Sequence, residues 1–109
     1  MKPLPLTIVT AVLNEEKILS DFLVYAKSMA DEVIVVVDYR STDRSLEIAR
    51  NAGVNVLEDQ GESKGIVFNN KNWGMKEAKH EWILILDADE RLDSVFENEL
   101  KDIVENEKE

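Results

Sequence analysis

Two stretches of the chain are apolar and largely β-branched: LTIVTAV (residues 6–12) and EVIVVV (residues 32–37). A strand with one wet face alternates apolar and polar residues, because successive side chains point to opposite sides of the sheet. These runs do not alternate, so both faces of each strand must be covered, as in a parallel sheet flanked by helices. Two shorter runs, VNVL (54–57) and WILIL (82–86), read as further strands of the same kind. Between the strands the apolar period becomes helical. Ile18, Leu19, Phe22, Leu23, Ala26 and Met29 define a first helix. Leu46, Ile48 and Ala49 mark a short second helix, which Gly53 is placed to end. Phe68, Trp73, Met75 and Ala78 lie on a third, and Val95, Phe96, Leu100, Ile103 and Val104 form an apolar stripe on an acidic fourth.

Strand and helix thus alternate four times, which predicts an α/β fold with an open, mostly parallel, Rossmann-like sheet and helices on both faces. Right-handed crossovers favour the strand order 3-2-1-4, with the reversal between the first and fourth strands. No repeat or linker divides the chain, so residues 1–109 read as a single domain. The formal net charge of −10 leaves no basic face for a phosphate backbone, and argues against nucleic acid as a partner. Without cysteine there is no disulfide and no thiolate zinc site, which fits a reducing compartment. No apolar run approaches the roughly 20 residues of a bilayer span, so no transmembrane segment is expected. The opening MKPLPLTIVTAVLNEE lacks a small-residue cleavage site and reads as a first strand rather than a signal peptide.

Ligands of open α/β sheets bind at the carboxyl ends of the strands, beside a reversal in strand order. Three polar clusters fall at that edge: LNEE (13–16), DYRSTD (38–43) and DADE (87–90). Asn14 reads as a helix N-cap followed by two acids in the first turn, and Ser41 or Thr42 as the next cap. The loop EDQGESKG (58–65), with two glycines, reads as mobile. Asp87 and Asp89 follow an apolar strand although neighbouring acids repel. Strand alternation would send both the same way, with the small Ala88 between them. Hard cations such as Mg²⁺ or Mn²⁺ prefer oxygen ligands, and Mg²⁺ commonly uses one or two carboxylates plus substrate phosphates. A solvated strand end is the plainer account of the same pair. His80, in a turn, reads as exposed, and Trp73 and Trp82 as core.

VTAVLNEEKI, DEVIVVVDYRSTDRSLEIARNAGVNV and NKNWGMKEAKHEWILILDADERLD together resemble the family 2 glycosyltransferases of the GT-A fold, above all the bacterial branch that builds lipopolysaccharide cores and similar glycans. The likeness covers roughly residues 6–93. A lone D-x-D is a weak signal; three motifs in this order, each after a strand, are a strong one. The resemblance implies an inverting transferase, cytoplasmic or peripheral at the inner membrane face. It would use a UDP-sugar donor, Mg²⁺ or Mn²⁺, and a glycan or lipid-linked acceptor hydroxyl. By position, it implies that Ala11, Leu13 and Glu15 line the nucleoside, that Asp38 contacts the base, and that Lys64 approaches the nucleotide. Asn72 matches a recurrent asparagine before the fourth strand. Asp87 and Asp89 match the D-x-D motif that holds the metal against the diphosphate.

Two local departures stand out. Relatives often carry DSGSTD or DDGSTD, so Tyr39 and Arg40 replace small or acidic residues, and Leu13 stands where many have an aromatic. The family's second half, with the acceptor site and a catalytic Asp or Glu, has no counterpart here, and neither Glu90 nor Asp93 matches that base. The expectation is a truncated or minimal donor-binding domain: part of a transferase, or a non-catalytic nucleotide-sugar-binding module. Its uncovered edge strand and helix faces would favour a homodimer. A receiver domain ranks lower because the third strand ends in LED and no fifth strand is evident. A nucleotidyltransferase ranks lower because LNEE is the opposite of a glycine-rich basic loop.

Overall fold

The structure, a computed structural model, describes residues 2–106. Its elements run β1 (Leu4–Val12), α1 (Glu16–Met29), β2 (Ala30–Val37), α2 (Ser45–Asn51), β3 (Asn55–Glu58), α3 (Val67–Glu77), β4 (Ile83–Ile85) and α4 (Ser94–Asn106). The four strands form one sheet in the order β3-β2-β1-β4, and every pairing is parallel. The expected α/β architecture and strand order are therefore observed. Strand β1 begins two residues earlier than expected, and β4 keeps three residues, pairing Thr7 with Ile83 through Val9 with Ile85.

The apolar runs divide between the two faces as their lack of alternation demands. Leu6, Ile8 and Val12 of β1 and Val33, Val35 and Val37 of β2 join Leu19, Phe22, Leu23 and Ala26 of α1, Ala49 of α2 and Val104 of α4. On the other face Val9, Ile34 and Val36 meet Trp73 of α3, with Leu57, Ile83 and Ile85 beside them. Helix α3 lies close against that face. A Cβ on Gly74 would stand 2.5 Å from Val9 Cγ1, so the absence of a side chain sets the spacing. Gly53, at φ +74°, ends α2 as its position predicted.

The edge away from the candidate site is fastened by Glu32, which is buried although it interrupts an apolar strand. Its carboxylate accepts bonds from the Thr7 hydroxyl (2.7 Å), Asn55 Nδ2 (2.8 Å) and the Lys79 amide (2.9 Å). Three strands and the turn after α3 are thereby joined. His80 is half-buried rather than exposed, with Nε2 2.7 Å from Asp31 Oδ2. Trp73 packs in the core as expected, but Trp82 is 38% exposed, because β4 ends its pairing at the sheet edge. On α4, Leu100 and Val104 reach the core while Val95, Phe96 and Ile103 stay exposed, so its stripe is only partly covered. Among the described residues no helix is long and apolar enough to cross a membrane.

Candidate functional site

Because β1 and β2 are parallel neighbours, their outgoing loops lie side by side, and they bond one another just ahead of the two following helices. An α-helix leaves its first amides without internal partners. In α1 the Glu16 amide donates to Asp43 Oδ2 of the other loop (3.0 Å), and the two amides just ahead of the helix, Asn14 and Glu15, donate to Ser41 Oγ (3.3 Å) and Ser45 Oγ (2.9 Å). In return Asn14 Oδ1 accepts from the amides of Thr42 (2.8 Å) and Asp43 (3.2 Å), and Glu16 Oε1 from Arg44 (3.0 Å). The expected caps are corrected accordingly. Asn14 adopts φ +53° and does not cap its own helix, whose N-cap position is Glu15; α2 is preceded by Arg44 rather than Ser41 or Thr42. The same polar residues bond backbone amides, but across the gap between loops.

Beside this junction lies a cleft of about 310 Å³, lined in part by Asp38, Tyr39, Thr42, Asp43, Asp59 and Gln60. Asp38 ends up almost fully buried at the carboxyl end of β2. Its Oδ1 accepts from the Arg40 amide and Nε, and its Oδ2 from Arg40 Nη2, each at 2.9 Å. These bonds from Arg40, against the opposing effect of burial, hold the Asp38 carboxyl below the usual range. Arg40 Nη2 also donates to the Gly65 carbonyl (3.3 Å), tying the end of β2 to the loop after β3.

That loop was expected to be mobile. The structure instead organises it around Asp59, which is 5% exposed. Oδ1 accepts from the amides of Gly61 (2.9 Å) and Ser63 (3.2 Å). Oδ2 accepts from the Ser63 hydroxyl, Asn70 Nδ2 (3.2 Å) and the Tyr39 amide (3.3 Å). Burial pushes the Asp59 carboxyl up, but bonds from the Ser63 hydroxyl, the Gly61 and Ser63 amides and Asn70 outweigh it and bring its pKa to about 2. The glycines serve the tight turn at φ +113° and +75°. Lys64 shares this loop in a left-handed conformation (φ +55°), exposed and next to the Gly65 carbonyl that Arg40 reaches.

The acidic end is built differently from the expectation. Asp87 and Asp89 lie beyond β4, in a turn closed by the Glu90 amide donating to the Asp87 carbonyl (2.9 Å). Strand alternation therefore does not orient them; the turn does, with Ala88 buried beneath and Glu90 Oε1 accepting the Asp87 amide (2.7 Å). Asp87 Oδ1 lies 3.2 Å from Lys71 Nζ. The Glu15 carboxyl is pushed up, first by burial and then by the charges of Asp89, Asp87 and Asp43. These acids thus share one negative field. Among the described residues no group of three or more His, Cys, Asp or Glu is disposed to hold a metal ion. Two carboxylates with open positions nevertheless suit a hard cation that arrives with phosphate oxygens.

The predicted residues fall into two groups. Ala11, Leu13 and Asp38 line one small cavity with Val67 and Asn70, while Glu15, Asp87 and Asp89 define the acidic end. Lys64 sits on the bounding loop, and Asn72 is half-buried on α3 with no side-chain hydrogen bond among the described residues. Asp59, Asn70 and Lys71 escaped the sequence reading. Asp59 had a legible signal, an acid just before a Gly-x-Ser turn; Lys71 had only its spacing from Gly74.

Residues 7–108 match the family model Glycosyl transferase family 2. The chain belongs to that family. It is 39% identical over 75 residues to a Rickettsia bellii protein described as an uncharacterized glycosyltransferase, covering 69% of this chain and 24% of that one. It is 33% identical over 101 residues to a Rickettsia typhi protein described in the same words, covering 93% of this chain and 32% of that one. The chain thus spans between a quarter and a third of the length of these relatives. Among solved structures, a mycobacterial protein superposes with a TM-score of 0.59 at 19% identity, over 79% of this chain and 31% of the other. That likeness is one of fold, and agrees with a GT-A-type sheet.

Proposed function

We propose that this domain binds the donor of a glycosyl transfer: a UDP-sugar together with Mg²⁺ or Mn²⁺, at the carboxyl edge of the sheet. What supports this reading is placement: Glu15 follows β1, Asp87 and Asp89 follow β4, and the cleft at Asp38 follows β2, all at the carboxyl ends of adjacent parallel strands. Carboxylates so placed repel a diphosphate unless a cation lies between. Asp87 and Asp89 would hold the metal, and Glu15 adds charge that favours it. When bound, the metal supplies Lewis-acid stabilisation of the leaving diphosphate. Ala11 and Leu13 wall the nucleoside, and Asp38 stands behind the base. The acceptor would be a glycan or lipid-linked hydroxyl, and inverting transfer would need a base to take its proton.

A second reading is a nucleotide-sugar-binding module without transfer, and one feature bears on both readings alike. Both Asp38 oxygens are already engaged by Arg40, so a base that uses Asp38 must first displace a charge-assisted pair. Calorimetric titration of UDP with and without Mn²⁺ tests what the two readings share. Metal-dependent binding that Asp89→Ala abolishes is the expected result. Binding that ignores both metal and substitution overturns the assignment of the acidic pair.

A further inference from the structure

Lys71 stands three residues before Gly74, on the same side of α3. Gly74 lets that side approach the sheet: its Cβ would stand 2.5 Å from Val9 Cγ1 and 3.3 Å from Val36 Cγ2. Asn70, next to Lys71, is buried and bonded to Asp59 at 3.2 Å. Two fixed points therefore flank Lys71, and they deliver its side chain to the turn after β4. That side chain is only 26% exposed, and its ammonium lies 3.2 Å from Asp87 Oδ1. Most surface ion pairs contribute little and hold no fixed geometry. This one differs because the lysine side chain is about three-quarters covered, which restricts where its charge can go. It is also the ion pair made by either member of the D-x-D turn among the described residues.

We propose that Lys71 is a diphosphate-binding residue of this site: its ammonium pairs with Asp87, and turns to a phosphate oxygen when a metal takes that carboxylate. The proposal rests on the donor-binding reading above. A metal and an ammonium compete for one oxygen of Asp87, and an arriving diphosphate supplies acceptors for the displaced ammonium. Lys71 thus keeps the acidic turn compensated in both conditions. Its role is binding and positioning, and involves no bond to the transferred sugar.

The test compares wild type, Lys71→Met and Lys71→Arg, each checked for folding by thermal melting. UDP binding with saturating Mn²⁺ is read by calorimetry, and uridine binding by chemical-shift titration, which registers weak affinity. Loss of one charge-assisted contact predicts UDP binding weaker by roughly tenfold in Lys71→Met, with uridine unchanged and Lys71→Arg largely restored. Equal losses for UDP and uridine, or an unchanged UDP affinity, overturn the proposal while leaving the donor site standing. A wild-type chain that binds no UDP overturns both.

Discussion

Asp59→Asn is a near-isosteric change with a large expected effect. The carboxylate faces only donors: two amides at Oδ1, and the Tyr39 amide, the Ser63 hydroxyl and the Asn70 amide at Oδ2. An asparagine must present its NH₂ to one of these sets, and either orientation sets donors against donors. The hydrogen bonds can be weighed through the proton. The carboxyl moves from an ordinary 3.8 to about 2 in the folded chain. At about 1.4 kcal/mol per pKa unit, that gap corresponds to roughly 2 kcal/mol of stability. Leaving buried donors unpaired costs a further ~1–3 kcal/mol. Loss of about 3–5 kcal/mol at pH 7 follows, a large share of the roughly 5–15 kcal/mol available to a domain. The sign with pH is fixed too. A depressed folded pKa contributes stability that is full above the unfolded value near 4 and disappears as pH falls towards 2. Urea unfolding of wild type and Asp59→Asn across pH 2–7 should show curves well separated at neutral pH that converge in acid. A variant as stable as wild type at pH 7, or a gap that persists unchanged at pH 2, would refute this account of the loop.

Two further outcomes follow. Gly74→Ala gains about 1 kcal/mol of helix propensity, but its Cβ meets the stiff, buried Val9 at 2.5 Å, an overpacking cost of roughly 1–3 kcal/mol. Net destabilisation in urea unfolding, relieved in Gly74→Ala combined with Val9→Ala, is expected. Arg40→Gly removes the guanidinium from both Asp38 oxygens, leaving only the backbone amide on Oδ1, and should tighten UDP binding severalfold in calorimetry; weaker binding would mean that Arg40 itself contacts the nucleotide.

The sheet was legible because it rests on long, local patterns. Uninterrupted runs in β1 and β2 demanded cover on both faces, and right-handed crossovers left the order 3-2-1-4. The position of a candidate residue was legible where it follows a strand directly, as Asp38 does after β2. What escaped depends on contacts between segments distant in sequence. Asn14 bonds amides 28 and 29 residues away, so its local pattern suggested the wrong helix. Glu32 hides in an apolar run, since its partners Thr7 and Asn55 belong to other strands. The paired part of β4 is shorter than its apolar run, and Asp87 and Asp89 consequently sit on a turn that strand periodicity does not describe. Lys71 drew no reading because nothing local reveals how closely Gly74 brings α3 to the sheet.

The central claim is that the carboxyl edge of the sheet takes a nucleoside diphosphate through a metal. Backbone amide spectra of the ¹⁵N-labelled chain, recorded with UDP and with and without Mg²⁺, test it residue by residue. Metal-dependent shifts concentrated at Ala11–Glu16, Asp38–Asp43 and Asp87–Glu90, with Thr7, Glu32 and Lys79 at the opposite edge unmoved, are predicted. Shifts that cluster at that opposite edge, or that are the same without Mg²⁺, would contradict it.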